Sequence, residues 1–182
     1  MFNTCMKELR PAVMMIVLFT ILTGGLYPLL VTAAGQAMFY SKANGSLIKR
    51  GDVVIGSELI SQQFTGERYF WPRPSGASYN AASSSGSNLA PSNPALVDGV
   101  KTRIADLRKV DSGNAAPIPG DLVLASGSGL DPQISVEAAN WQALRVAHAR
   151  SIPDRAVLEN KKKNTTGRTL GMFGEPGVNV LK

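Results

Sequence analysis

At 182 residues, 44% of them apolar, the chain can hold one sizeable core beside a membrane segment; residues 42–182 are too short for two comfortable cores. Its formal charge of +6, from 19 Lys and Arg against 13 Asp and Glu, does not mark a nucleic-acid binder: the cations are scattered among carboxylates and no nucleic-acid-binding pattern appears. The single cysteine, Cys5, precedes the long apolar run, so the folded part needs neither disulfides nor a reducing compartment.

Residues 11–34 carry no charge, and the next charged side chain after Arg10 is Lys42. As a helix rising about 1.5 Å per residue the run would be about 36 Å long, enough to cross a hydrocarbon core of about 30 Å. Val13, Met14, Ile16, Val17, Leu18 and Phe19 would be apolar on every side of that helix, which suits lipid rather than a one-sided contact. Its distal half changes character. Thr20, Thr23, Gly24, Gly25 and Pro28 bring small residues, which let a second helix's backbone come close, and a proline, which membrane helices tolerate when neighbours adapt. A cleaved signal peptide is the alternative, with Lys7 and Arg10 before the run and Ala33, Gly35 and Ala37 after it; the run is longer than an ordinary signal core. Lys7 and Arg10 favour an N-terminus held inside. The expected organisation is an internal segment 1–10, a membrane helix 11–34, a linker 35–50 and an extracytoplasmic domain 51–182. The expected fold class is α+β: a single N-terminal transmembrane helix followed by one α/β-type globular domain.

Residues 52–60 alternate short apolar groups with Gly51 and Gly56, which predicts a strand and turn followed by a short helix. Tyr69, Phe70 and Trp71 precede Pro72 and Pro74, and the prolines dictate an irregular, ring-anchored segment. Residues 75–91 are rich in Ser, Gly and Asn; the composition fits a flexible linker, an ordered polar loop or a small-molecule site. Asn93 can cap a helix with Pro94 in its first turn, and Leu96, Val100, Ile104 and Leu107 share one face up to Val110. Leu122, Val123 and Leu124 read as a short buried strand. After a glycine-rich loop at 126–132, Ser135 can cap a second helix, with Ala139, Ala143 and Ala147 on one face and Trp141, Leu144 and His148 on the next. Residues 159–168 are polar and read as mobile. Lys161, Lys162 and Lys163 form the tightest basic run, either a solvated linker or a contact for anionic headgroups or an acidic partner. Val178, Val180 and Leu181 predict a docked terminal strand.

Catalytic and metal signatures are lacking. Gly127-Ser128-Gly129 fits neither a nucleophile elbow nor a phosphate loop. A hydrolase built on Ser128, His148 and Asp131 would have to use the chain's one histidine. No zinc spacing, dinucleotide fingerprint or calcium loop occurs. A lone uncharged helix makes no ion path by itself, so the sequence favours an accessory subunit. A membrane-anchored serine hydrolase and a ligand-binding module are the competing classes.

Several runs occur in a specific order: Gly56-Ser57-Glu58-Leu59-Ile60, Arg73-Pro74-Ser75, Tyr79-Asn80, Ser87-Asn88-Leu89, Ser126-Gly127-Ser128-Gly129-Leu130-Asp131-Pro132, Gln142 with Arg145-Val146-Ala147, and Gly174-Glu175-Pro176-Gly177-Val178-Asn179-Val180-Leu181. With the N-terminal anchor, these closely resemble the C subunit of the bacterial Kdp-type potassium-importing ATPase over nearly the whole chain. Gln133, Trp141 and Leu144 stand where the family often has histidine, tyrosine and proline, which excludes a mechanism needing histidine at 133. The resemblance implies an inner-membrane, single-pass protein with a cytoplasmic N-terminus and a periplasmic domain. Its implied partners are a channel-like potassium-translocating subunit, a P-type ATP-hydrolysing subunit, a small single-helix subunit and membrane lipid. Potassium is the implied transported ion, and ATP the nucleotide used by the hydrolysing partner. The family's catalytic-chaperone proposal, in which this subunit raises the partner's ATP affinity, favours indirect action, because ATP lies on the opposite side from the domain. Candidate interface residues are Thr20, Gly24, Gly25 and Pro28 in the anchor and Arg73, Asn80, Asn88, Asp131 and Arg145 in the domain; Arg and Asn supply the donors and acceptors that suit polar contacts.

Overall fold

The computed structural model describes residues 2–182; Met1 and the side chains of residues 2–6, Cys5 among them, lie outside the described part. The chain divides into two compact units, Met1–Leu47 and Ile48–Lys182.

The first unit is helical: α1 (Phe2–Ile21), a π-helical turn (Leu22–Leu26), α2 (Tyr27–Met38) and a short α3 (Tyr40–Ala43). Lys7–Met38 is the one helix among the described residues that is long and apolar enough to cross a membrane. Leu18 is 58% exposed and Leu29 71%, so this chain supplies no core for them. The π turn has a cause in the sequence. Pro28 has no N–H to give the Gly24 carbonyl, and its ring crowds that position. The helix widens just before it, with the Tyr27 N–H reaching back to the Leu22 carbonyl, and so runs on through the proline.

The second unit opens on a hairpin of β1 (Leu47–Arg50) and β2 (Val53–Ser57), whose first residue, Leu47, closes the preceding unit. The short helix expected after β2 is absent. The Ser57 hydroxyl accepts the Leu59 N–H at 3.1 Å, and the Ile60 N–H turns back to the Ser57 carbonyl. A side chain thus takes a donor that a helix would have used. α4 (Pro94–Val110) starts where the caps place it: the Asn93 side chain accepts the Ala95 N–H at 2.9 Å, with Pro94 next.

The expected strand at 122–124 is instead a 3-10 turn, Gly120–Leu122. Val123 and Leu124 both donate back to the Gly120 carbonyl. The Asp121 carboxylate then takes the Ser135 N–H at 2.7 Å and the Ser135 hydroxyl at 3.1 Å. Leu122 and Val123 are buried as the apolar run demands.

β3 (Gln133–Ser135) leads straight into α5 (Val136–Arg150), capped by the Ser135 hydroxyl on the Ala138 N–H. The tail forms β5 (Gly177–Asn179), the centre of a three-stranded antiparallel sheet ordered β3-β5-β4, with β4 at Thr165–Thr166. Val178 lies opposite both Ile134 and Thr165. Residues 159–168 are therefore structured: α6 (Asp154–Lys163) carries Asp154 in its first turn and Lys161, Lys162 and Lys163 in its last, matching the helix dipole at both ends.

α5 is the hub. Ala138, Ala139 and Trp141 join Leu107, Leu122, Ile134 and Val178 in one core, while Ala143, Val146 and Ala147 pack with Val157 of α6 in another; Phe70 touches both. Alanines on the buried face let α6 and the 66–72 segment approach the helix closely. Leu144 and His148, expected beside Trp141 on one face, are exposed.

Candidate functional site

Three polar segments, 74–79, 84–88 and 126–131, meet backbone to backbone. Their glycines are what let them meet. A Cβ on Gly76 would lie 2.7 Å from the Gly86 carbonyl carbon, one on Gly86 2.9 Å from the Gly127 oxygen, and one on Gly129 2.5 Å from the Ser85 oxygen. Gly129 also has a φ of +68°, the left-handed region.

Serines stitch the cluster. The Ser75 hydroxyl donates to the Gly129 carbonyl at 2.6 Å and accepts the Ala77 and Tyr79 N–H groups at 3.1 and 2.9 Å, which uses its full capacity. The Ser84 hydroxyl donates to the Ser128 carbonyl, and the Ser126 N–H to the Pro74 carbonyl. Residues 75–91, read from composition as linker, loop or ligand site, thus contain an ordered polar loop held by its own hydrogen bonds.

The candidate residues divide by place. Arg73 donates to Asp131 at 3.2 Å, with both side chains about a third exposed (30% and 33%); the other Asp131 oxygen accepts the Gln133 N–H. Asn80 is exposed and accepts the Ala82 N–H, so it shapes its own turn. Asn88 is exposed and left-handed, at φ +52°. Arg145 lies elsewhere: it is 7% exposed and donates to the Glu67 and Tyr69 carbonyls and to the Gln142 side chain, with Trp71 under its guanidinium at 5.2 Å. Burial pulls its pKa down, while Asp111 and Glu67 oppose the shift; an arginine stays charged through this. In the anchor, Thr20 is exposed, Gly24 and Gly25 fall in the π turn, where an added Cβ would meet nothing within 4 Å, and Pro28 follows it.

Tyr79 sits at φ +57° after Ser78 at +51°, a conformation that costs L-residues about 1–2 kcal/mol each. Its hydroxyl donates to the Arg73 carbonyl at 2.9 Å. Burial raises its pKa above the ordinary 10.0, with nearby Arg103 pulling the other way. A raised phenol pKa makes its contribution complete below the unfolded value and lost as pH climbs through the folded one. The urea midpoint of the wild type is therefore expected to fall more steeply above pH 10.0 than that of Tyr79→Phe; parallel pH profiles would contradict this.

Among the described residues no group of three or more His, Cys, Asp or Glu is placed to hold a metal, and no hydrogen bond joins His148 to Ser128 or Asp131. The Ser128 hydroxyl accepts the Leu130 N–H instead. The arrangement is a polar surface on a small hydrogen-bonded frame.

A family profile described as "KdpC: K+-transporting ATPase, c chain" matches residues 9–182. The chain belongs to the KdpC family. Similar proteins named potassium-transporting ATPase KdpC subunit occur in Methylococcus capsulatus, 52% identical over 97% of this chain and 94% of the relative. The protein of that name in Rhodospirillum rubrum is 52% identical over 97% and 92%, and the one in Polynucleobacter asymbioticus 52% over 96% and 94%. KdpC membership makes this chain a subunit of a potassium-transporting ATPase and gives no support to the hydrolase or ligand-module reading. His148→Ala is accordingly expected to leave potassium-stimulated ATP hydrolysis of the complex within about twofold of wild type. An exposed side chain away from special features changes stability by only about 0.5 kcal/mol, and a large loss of turnover in a folded variant would revive the hydrolase.

Two structural roles escaped the sequence reading, one of them that of Gln142, which was named only within the family-like runs. Gln142, fully buried, holds the Trp71 backbone on both sides: its oxygen accepts the Trp71 N–H at 2.7 Å and its amide donates to the Trp71 carbonyl at 3.1 Å. A polar residue sharing a helical face with Ala139 and Val146 was the available signal. The tail hairpin also presents Leu170, Met172 and Phe173 at 82%, 71% and 62% exposure, above a base closed by Arg168 on Glu175.

Proposed function

We propose that this chain is a non-catalytic accessory subunit that supports assembly and activity of an ATP-driven potassium importer. It spans the bacterial inner membrane once, with its N-terminus in the cytoplasm and the second unit in the periplasm. The family match across residues 9–182 carries the reading, and the single membrane-length helix supports it. The partners are the channel-like potassium-translocating subunit, the P-type ATP-hydrolysing subunit and the small single-helix subunit. Thr20, Gly24, Gly25 and Pro28 form the anchor's contact with the channel-like subunit, because the glycines leave a flank open to a neighbouring backbone. The loop cluster, with Arg73, Asn80, Asn88 and Asp131, caps that subunit's external face. Arg145 acts apart from it as a positioning residue, fixing the 67–71 segment through the Glu67 and Tyr69 carbonyls and the Trp71 ring. Any rise in the hydrolysing subunit's ATP affinity then passes through these contacts, without ATP on this chain.

The test is purification of the native complex with and without this chain, followed by potassium-stimulated ATPase assay and protease access from each membrane face. The reading expects co-purification of the transport subunits, loss of potassium coupling when the chain is missing, and cleavage of the second unit from the periplasmic side only. An intact, fully coupled complex without the chain would overturn the accessory role, and cleavage from the cytoplasmic side would overturn the topology.

A further inference from the structure

Away from the loop cluster, the second unit contains a pocket of about 390 Å³, bounded by the β1–β2 hairpin, α5, α6 and the tail. Its volume lies in the range of sites that take a small organic ligand. Its lining is amphipathic. Ile55, Phe70, Ile152 and Val180 supply apolar surface over the buried Val146, Val157 and Val178, while Arg50, Arg150, Lys161 and Lys182 supply cations, and no aspartate or glutamate is among the described residues that line it.

The cations are mostly held without being neutralised. Arg150 donates to the Arg68 carbonyl and lies over the Tyr69 ring at 5.5 Å. Lys161 donates to the Asn140 side-chain oxygen. These partners fix position and carry no charge. Only Lys182 is paired with a carboxylate, Glu58 at 2.8 Å. Lys162 and Lys163 extend the positive edge on exposed positions of α6. Cations oriented by neutral acceptors beside an apolar floor leave a positive potential that an anion can occupy. The apolar floor gives an alkyl chain on that anion a surface to lie against. Lys161, the one member of the basic run that lines the pocket, thereby acquires a task that the accessory role does not give it.

We propose that this pocket binds an anionic phospholipid, with the phosphate against Arg50, Arg150 and Lys161 and the first part of an acyl chain on the floor. A free phosphate would have no use for Ile55, Ile152 and Phe70, and a neutral amphiphile none for the uncompensated cations. The first wall residue, Ile48, opens the second unit, and on the proposed membrane-spanning topology such lipids are available to the chain. The inference is independent of the partner subunits.

The experiment uses the full chain in an uncharged maltoside detergent, titrated with dihexanoyl phosphatidylglycerol or dihexanoyl phosphatidylcholine and read by native mass spectrometry. The expected result is a one-to-one phosphatidylglycerol adduct half-saturating at least about tenfold lower than phosphatidylcholine, a gap of about 1.4 kcal/mol. Arg50→Gln with Lys161→Gln should abolish that preference, whereas Lys162→Gln with Lys163→Gln should keep it. The Arg50 and Lys161 side chains lie outside the core, and an unchanged thermal midpoint of the double variant confirms that it folds. Equal adducts with both lipids, or a preference surviving Arg50→Gln with Lys161→Gln, would overturn the site. Glycerol phosphate competing as well as the lipid would mean a free-anion site, and displacement by an acidic peptide at equal concentration would mean a protein partner; either result overturns the lipid assignment.

Discussion

Gln142→Ala is expected to lower the unfolding free energy of the second unit by about 3 kcal/mol, followed through Trp71 and Trp141 fluorescence in urea. The side chain is fully buried and makes three hydrogen bonds, two to the Trp71 backbone and one from Arg145. Truncation leaves the Trp71 N–H and carbonyl without partners, and each such loss inside a protein costs about 1–3 kcal/mol. It also takes one acceptor from a nearly buried cation and opens a void under the aromatic segment. Against a typical total of about 5–15 kcal/mol, that is a large fraction. Gln142→Met separates the terms: it keeps nearly all the side-chain volume and loses every hydrogen bond to Trp71 and Arg145, so its loss should be smaller than that of alanine and still about 2 kcal/mol. A Gln142→Met variant as stable as wild type would mean that the hydrogen-bond knot contributes nothing beyond side-chain volume.

What could be read from the sequence was what local chemistry decides. Asn93 followed by Pro94, and Ser135 followed by Glu137, place the starts of α4 and α5 because a cap acts on donors two or three residues away. The uncharged run announces a membrane-length helix for a similar reason: composition alone sets its length. The errors arise where a distant or competing partner decides. The run at 122–124 looks like a strand, yet no strand pairs with it, and the carbonyls of Pro119 and Gly120 collect its N–H groups. Residues 159–168 look mobile because their apolar content is low, and they are ordered by helix ends and by the pairing of Thr165 with Val178.

The candidate site was legible in kind and not in arrangement. Ser75, Gly76, Gly86, Ser126 and Gly129 have the composition of a linker, and a linker and a tightly packed polar cluster share that composition. Contact between Gly76 and Gly86, and between Gly129 and Ser85, distinguishes them, and contact is a tertiary fact. Arg145 shows the converse. Its chemistry fits an exposed partner contact, but three acceptors from this same chain surround it, and only the fold shows which way it faces.

Gly129→Ala is expected to open the loop cluster, at a local cost of about 2 kcal/mol or more, and to reduce recovery of the assembled complex. Two costs combine. An alanine at φ +68° pays about 1–2 kcal/mol for the left-handed conformation. Its methyl would also stand 2.5 Å from the Ser85 oxygen and 3.1 Å from the Ala77 Cβ; the Ser85 oxygen belongs to backbone, so the segment itself must move. At about 1.4 kcal/mol per decade, 2 kcal/mol raises the open population roughly 30-fold, visible as faster limited proteolysis within residues 75–91. The core around Ile134, Ala139 and Trp141 is separate from this contact, so global unfolding should shift by less than the local opening. Gly127→Ala is the matched control, one turn away in the same loop: its Cβ would meet nothing within 4 Å, and it should assemble and resist protease as wild type does. If Gly129→Ala opened the loop while the complex still assembled and coupled fully, the cluster would be a device for closing this chain on itself, and the contact with the channel-like subunit would have to lie elsewhere. If both variants assembled poorly, the loop's outer face, rather than its internal packing, would be what the partner reads.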